Sequence, residues 1–489
     1  MRRPSIASAA EDGLGGAGAV TAATVATTTT PPPIAAVVAG QAEAAAVAPA
    51  RPRTAVSAIG GLGGRTLDSL RLPRYRTYFF AQFGAYAAMN MQMLANGYLV
   101  FILTGSFAAL GVVSLARAVP GLVFAMPGGL LADRLPKKYV VQGGEFCSAL
   151  LTLTVALLLT FDMLRFEHLL AASFAQGTIM AFQMPAQQAI LPGLVGMRRL
   201  QNAVALGMGV MNVMQMVGPA LAGFLLAAVG PQWAYFVMAG LFLYSVTMFF
   251  RVPADDIRVT DPETAGIARP GERRGPSPAR AHGGPGTGRR GMGAKDILLG
   301  LTYAMREPVI LMLLAANLAI VLFSMPYRML LPGYVIAVLG GGPGMIGTLQ
   351  AIGGIGSIVS IVVVAAMPDR KRGRVLIAAT LIMGVALLAF AASTVVWVTA
   401  LIMVVMSVGQ AFRMSLSSVL LQTYVDDDYR GRVMSLYMME MSLVSFATFG
   451  AGVLSEVIGP QEAFGAMALV LVAIAVALWA FVPRMRHLE

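Results

Sequence analysis

The chain has 489 residues, of which 57% are hydrophobic and only 12% are charged, against about 25% charged residues in an ordinary soluble domain. This composition excludes a soluble protein and indicates that lipid surrounds most of the chain. The net charge of +12 lies mainly in tails and loops, without a basic stripe interleaved with aromatic residues, so we expect no nucleic-acid partner. A single cysteine, three scattered histidines and the lack of a GxxxxGK[ST] loop predict no metal site and no cofactor.

The first 65 residues are rich in Ala, Thr, Pro and Gly, with a TTTTPPP run at 27–33. Such a segment has too few large apolar residues to fold alone, so 1–65 is predicted to be a disordered tail. Its Arg pair resembles the start of a signal peptide, but Glu11 and Asp12 stand where the apolar region should be. A transit peptide remains the weaker alternative.

From residue 77 onward, twelve apolar segments of about 20 residues follow one another, each able to cross about 30 Å of hydrocarbon as a helix. The predicted spans are 77–103, 107–130, 139–161, 167–190, 202–229, 232–250, 308–331, 344–367, 375–392, 396–421, 433–458 and 463–482.

Lys and Arg are concentrated in alternate loops, which tests the number of spans independently. The basic clusters lie at 71–76, 134–138, 198–199, 370–374, 430–432 and 484–486, whereas the intervening turns carry almost none. This pattern predicts that both termini are cytoplasmic. The polar, basic, Gly/Pro-rich segment 251–295 is predicted to be a cytoplasmic linker loop. It divides the chain into a first half (66–250) and a second half (296–485).

The two halves show an internal repeat. The segment MAFQMPAQQAILPGLV at 180–195 aligns with QAFRMSLSSVLLQTYV at 410–425, and GPQWAYF at 230–236 aligns with GPQEAFG at 459–465. Two repeated six-helix units predict a binding site near the midplane, between the halves.

The inner loop GGLLADRLPKK at 128–138 closely resembles the signature of the major facilitator superfamily, and MPDRKRGR at 367–374 is a weaker copy of it. The resemblance implies an all-α membrane protein with twelve transmembrane helices in two six-helix halves. The segments MPAQQAILPGLV at 184–195 and YRGRVMSLYM at 429–438 resemble the branch that contains enterobactin exporters and macrolide-type efflux proteins.

The same resemblance implies a gating motif in the inner loops. Its candidate residues are Gly129, Asp133, Arg134, Lys138, Asp369 and Arg370. Asp133, at an inner helix end, is suited to interact with the positive N-terminus of a neighbouring helix and so to latch the outward-facing state. In the alternative interpretation, the basic residues only set the topology.

Charged residues at membrane depth cost at least about 2.5 kcal/mol on insertion scales, so each requires a partner or a water-filled cavity. The cargo or coupling candidates are Arg117, Arg413, Glu440, Asn90, Gln183 and Asn317. Arg117 lies near mid-depth of the second span, where it would attract anionic cargo, and Glu145 is the nearest acidic candidate in sequence. Arg413 and Glu440 are placed to pair. A static ion pair and ordinary interhelical hydrogen bonds are the competing explanations.

The fifth span carries part of a pattern found in drug antiporters of the superfamily. Gly218, Pro219 and Gly223 match it, while Met214 and Ala222 replace glycines. Ser173 occupies the position of a fourth-helix arginine in those antiporters, so coupling through that arginine is not expected here.

Together these features predict a protein that is not an enzyme but a secondary active exporter in the cytoplasmic (inner) membrane. It would move an amphipathic small molecule, either a drug-like compound or a siderophore, by alternating access. Transport would be coupled to an ion gradient, with protons as the expected ion, and a monomer in the lipid bilayer would carry it out. The alternatives are nutrient uptake by the same fold and a transporter-like receptor or scaffold.

Overall fold

In a computed structural model, residues 68–252, 294–366, 371–426, 429–486 and 488 are described. All regular elements in these ranges are helical. The predicted tail and nearly all of the predicted linker loop lie outside the described residues.

The first half contains six long helices that match the first six predicted spans. They are α1 (Pro73–Thr104), α2 (Phe107–Arg134), α3 (Lys137–Thr160), α4 (Phe166–Val195), α5 (Leu200–Ala228) and α6 (Pro231–Phe250). Gly105 ends α1 and Gly230 precedes α6, both with positive φ, a conformation that glycine adopts without steric cost. Proline at the first position of α1 and α6 removes a donor that would have no partner there.

The second half begins with a shorter helix and continues with six spans. Its helices of more than ten residues are α7 (Ala294–Arg306), α8 (Pro308–Ser324), α9 (Pro326–Ala337), α10 (Pro343–Ala366), α11 (Arg372–Ala392), α12 (Val396–Tyr424), α13 (Arg430–Ile458) and α14 (Pro460–Phe481). In the described chain, nine spans are long and apolar enough to cross a membrane, with α8 and α9 together forming one of them. The remaining long helices are α1, α4 and α10, so the predicted twelve spans fit this architecture.

Two features of the second half differ from the predicted spans. The seventh span is broken, because Pro326 cannot donate a backbone hydrogen bond, and it extends beyond residue 331 to Ala337. The segment before it forms the separate helix α7, which packs on α13. Tyr303 of α7 stacks on Tyr429, with ring centroids 4.1 Å apart.

The two halves repeat the same packing pattern. In the first half α2 packs on α4, α3 on α6 and α1 on α5; in the second half α10 packs on α12, α11 on α14 and the α8–α9 pair on α13. The halves meet along two helix pairs, α2 with α13 and α5 with α10. This arrangement supports the internal repeat found in the sequence.

Among the described buried residues, the halves share one apolar cluster at one end of the bundle and form separate clusters at the other. At the end that contains the 104–106 turn, here called the turn end, one apolar cluster includes Leu99 and Phe107 of the first half and Tyr334 of the second. At the opposite end, the basic end, which contains the 198–199 and 372–374 clusters, each half has its own apolar cluster. The structure is therefore closed at the turn end.

Glycine allows this close approach. A Cβ atom placed on Gly223 of α5 would lie 2.5 Å from the carbonyl oxygen of Pro343, and one placed on Gly347 of α10 would lie 2.6 Å from that of Pro219. Gly111 of α2 lies equally close to the backbone of α13 at Phe449. We call these contacts the glycine seam.

Candidate functional site

A cavity lies between the two halves and has two lobes, of about 490 and 420 Å³. The first lobe is lined mainly by α1, α2, α4 and α9, and the second by α5, α9, α10 and α12. Arg328 and Gln350 line both lobes. Both volumes are in the range of small-molecule sites, about 300–1,000 Å³.

The cavity wall is apolar with a limited number of polar groups. Eight methionines line it: Met93, Met180, Met184, Met329, Met208, Met211, Met403 and Met414. Asparagine, glutamine and serine side chains supply hydrogen-bonding groups between them. Flexible thioether side chains adapt to apolar surfaces of different shape, so this wall suits an amphipathic molecule.

Arg117 lines the first lobe, as expected for a residue that faces the interior. Its side chain makes no hydrogen bond or ion pair with the described residues. Glu145 is not its partner, because the Glu145 carboxylate accepts a hydrogen bond from Gln183 Nε2 at 2.6 Å. Gly177 of α4 packs directly against the Arg117 backbone, which fixes the position of this arginine on α2.

The second half contains a buried polar network on α8, α12 and α13. Arg413 donates to Asn317 Oδ1 at 2.5 Å and to Gln410 Oε1 at 3.3 Å, and Asn317 Nδ2 donates to the Glu440 carboxylate. Arg413 and Asn317 are 2% exposed and Glu440 is 5% exposed. The expected Arg413–Glu440 pair is thus bridged by Asn317.

Several polar candidates lie behind the cavity wall. Gln183 is bound to Glu145, and Asn90 donates to the backbone carbonyl of Tyr86 at 2.8 Å. Both side chains are buried, and neither lines the two lobes. Of the six cargo or coupling candidates, the structure brings Arg117 alone to these lobes and places the others in buried hydrogen-bonded pairs or networks.

Comparison with known proteins decides the family. The family model of the Major Facilitator Superfamily matches residues 78–370 and 313–489. The chain belongs to this superfamily. It is therefore an integral protein of the inner membrane that transports small molecules.

Curated relatives from the superfamily include siderophore transporters. The Staphyloferrin A transporter of Staphylococcus aureus is 24% identical over 380 residues, covering 76% of this chain and 88% of that protein. The Enterobactin exporter EntS of Salmonella paratyphi A is 28% identical over 174 residues, covering 35% of this chain and 42% of that protein. These matches confirm the predicted branch of the major facilitator superfamily.

Solved structures of other transporters share the fold. The nucleoside transporter NupG superposes with a TM-score of 0.63 at 14% identity, covering 84% of this chain and 99% of that one. A bacterial homologue of the human lysosomal transporter Spinster, in an inward-facing and unoccupied conformation, gives a TM-score of 0.64 at 12% identity, covering 84% and 97%. At these identities the likeness supports the fold alone.

The gating motif of the superfamily lies largely outside what the structure describes. Gly129, Asp133 and Arg134 belong to the last turns of α2, but their side chains are not described, and Asp369 and Arg370 lie outside the described residues altogether. Lys138 is buried at the start of α3, with its Nζ 5.8 Å from the centroid of the Tyr139 ring.

The helix-5 pattern takes part in the glycine seam. Gly218 faces Asn90 of α1, where an added Cβ would lie 2.7 Å from the Asn90 Cβ. Pro219 and Gly223 lie against α10, where they face Gly347. The pattern therefore shapes both the packing within the first half and the contact between halves.

Sequence reasoning missed a contact between the halves at the turn end. The backbone N–H of Ala108, in the first turn of α2, donates to Glu456 Oε1 of α13 at 3.2 Å. A carboxylate near a helix N-terminus is favoured by the helix dipole. No local pattern reveals this contact, because 348 residues separate the two partners.

Proposed function

We propose that this chain is a secondary active exporter of amphipathic small molecules, either siderophores or drug-like compounds, that works by alternating access. The observation that carries the proposal is the methionine-lined cavity between two repeated halves, closed at the turn end by the glycine seam. The names of the relatives, a Staphyloferrin A transporter and an Enterobactin exporter, support siderophore-like cargo and outward transport.

The positions of the basic clusters give the proposed orientation. Loops that carry Lys and Arg remain on the cytoplasmic side, so the basic end and both termini face the cytoplasm. A cavity that is closed at the turn end is then closed toward the outside. This is the state in which an exporter loads cargo from the cytoplasm. Because one chain supplies both halves, a monomer contains the complete site.

We further propose that protons drive export through Glu440. Its carboxylate is buried in the bundle and is linked through Asn317 to Arg413. Protonation of such a group changes the charge balance of the network, and intramembrane carboxylates with named partners are typical of proton relays. Tyr437, one turn before Glu440, lies on the same helix and faces Arg413.

Direction and coupling can be tested in inside-out membrane vesicles. With an acidic lumen, we expect vesicles that contain the protein to accumulate enterobactin, staphyloferrin A or a macrolide, and a protonophore should abolish this accumulation. Vesicles from cells that lack the protein are the control. Accumulation in right-side-out vesicles instead would establish uptake. The absence of flux for every compound would favour a receptor.

We also propose that Asp133 latches the inner gate. Replacing Asp133 with Asn removes a charge at a helix end without changing side-chain volume, so flux should fall at least about tenfold while membrane insertion stays normal. The measurement is vesicle flux at equal expression, with Asp68→Asn as a control that removes a surface ion-pair partner of Arg199. Wild-type flux in Asp133→Asn would remove the latch from the mechanism.

A further inference from the structure

Two arginines in the cavity have no protein counter-charge. Arg117 of α2 lines the first lobe, and Arg328 of α9 is exposed and lines both lobes. Neither side chain forms a hydrogen bond or ion pair in the part of the chain that the structure describes. We propose that these two arginines form an anion clamp for cargo that carries two negatively charged groups on an apolar body. This inference rests on the proposed transport function and specifies its substrate class.

The contrast with Arg413 supports the clamp. Arg413 has two amide acceptors and a nearby carboxylate, and it is almost completely buried. Arg117 and Arg328 instead line the cavity, and neither side chain has an acceptor among the described residues. A guanidinium at membrane depth requires a partner or water, and its planar group of N–H donors matches a carboxylate geometrically. A bound anion therefore supplies the partner that the protein does not.

The net charge of the cavity wall also favours an anionic ligand. Among the described residues that line the two lobes, Arg117 and Arg328 are charged, and the others are neutral. With no carboxylate in that set, the wall attracts anions and repels cations. A cationic amphipath is therefore a poor ligand for this site, although the methionines suit its apolar part.

The two arginines belong to different halves. Arg117 is carried by the first half, and Arg328 lies two residues after Pro326, at the break between α8 and α9 in the second half. A ligand that binds both arginines in the first lobe bridges the halves near the break in the seventh span. A cargo with two anionic groups can therefore bind an arginine in each half at once, whereas a cargo with one anionic group binds an arginine in one half.

Three dansyl probes of nearly equal size test the number of charges directly. They are dansyl-glutamate with two carboxylates, dansyl-glutamine with one and dansyl-glutamine amide with none. Binding to the purified full-length protein in detergent is followed by dansyl fluorescence. Because hydrogen bonds to charged groups contribute about 1.5–3 kcal/mol, each added carboxylate should tighten binding by about tenfold or more.

Substitutions assign the two charges to the two arginines. In Arg117→Gln or Arg328→Gln, the affinity for dansyl-glutamate should fall about tenfold, to that for dansyl-glutamine. The double variant should bind all three probes equally, and lysine at either position should retain part of the preference. Arg251→Gln removes the same charge at the exposed end of α6 and should change nothing. Gln350→Ala removes a neutral side chain from both lobes and should affect the three probes equally.

The outcomes separate the clamp from the transport function. Equal binding of the three probes, tighter binding of the neutral probe, or no binding of any probe to folded wild-type protein overturns the clamp. The wild-type series decides this even if an arginine variant does not fold. A graded preference that both glutamine variants retain also overturns it. Graded binding of the probes without any vesicle flux supports the clamp and refutes the proposed export. Export that does not depend on the charge of the cargo supports the proposed export and overturns the clamp.

Discussion

Replacing Gly223 with leucine should abolish export. In the structure, even a Cβ at this position would lie 2.5 Å from the Pro343 carbonyl oxygen and 2.9 Å from the Gly347 Cα. Backbone atoms cannot move aside as a flexible side chain can, so a larger residue must separate α5 from α10 and prevent closure at the turn end. We expect flux in inside-out vesicles to fall at least about a hundredfold, since packed interfaces are bistable and do not deform continuously.

A matched substitution on the same helix controls for the change of residue type. Gly209 of α5 has no atom within 4 Å of its ideal Cβ position, so Gly209→Leu should keep most of the wild-type flux. Gly223→Ala should give an intermediate loss. Size-exclusion chromatography of the solubilised variants checks folding. If Gly223→Leu is folded and transports at the wild-type rate, then the glycine seam does not control closure.

Replacing Glu440 with glutamine should uncouple transport from the proton gradient. Glutamine preserves the shape and a hydrogen-bond acceptor for Asn317, and Arg413 keeps its acceptors on Asn317 and Gln410. The variant cannot change its charge at this position. We expect gradient-driven accumulation to fall by about a hundredfold, while exchange of labelled for unlabelled cargo continues, because only the step that requires the carboxylate is removed.

Glu145 provides a matched control for this experiment. It is also a buried carboxylate that accepts a hydrogen bond from a side-chain amide. Among the described residues, however, its amide partner Gln183 is not linked to an arginine. Glu145→Gln should retain gradient-driven accumulation. The reverse result, with coupling lost in Glu145→Gln and kept in Glu440→Gln, would transfer the coupling role to the first half. Thermal melting of both solubilised variants distinguishes uncoupling from unfolding.

Sequence patterns predicted the order and approximate positions of the long helices because glycine, proline and basic residues mark their ends. Gly105 and Gly230 are examples, since each stands between two helices as the sequence suggested. The break at Pro326 was not predicted, because it lies within a continuous apolar segment. The helix α7 was not predicted as a separate element, because it lies between the predicted linker loop and the seventh span and is too short to span a membrane.

Predicting the site was harder than predicting the fold. The depth of Arg117 and Arg413 within apolar spans indicates that both face the interior, but it does not show which side chain each one contacts. Asn317 bridges Arg413 to a carboxylate 123 residues further along the chain than itself, whereas Arg117 meets the cavity. Such distant pairings depend on how the helices pack, which is not encoded in the local spacing of residues.

The glycine seam and the cavity wall use different positions on the same helices. On α5, Pro219 and Gly223 form the seam contacts, while Met208 and Met211 line the second lobe. In the proposed mechanism, backbone shape therefore determines closure, and side-chain chemistry determines what the cavity accepts. As a consequence, substitutions at the methionine, serine and glutamine positions can diversify the compounds that are carried without rebuilding the moving parts. A directed-evolution library for new cargo should therefore vary the wall and leave the seam unchanged.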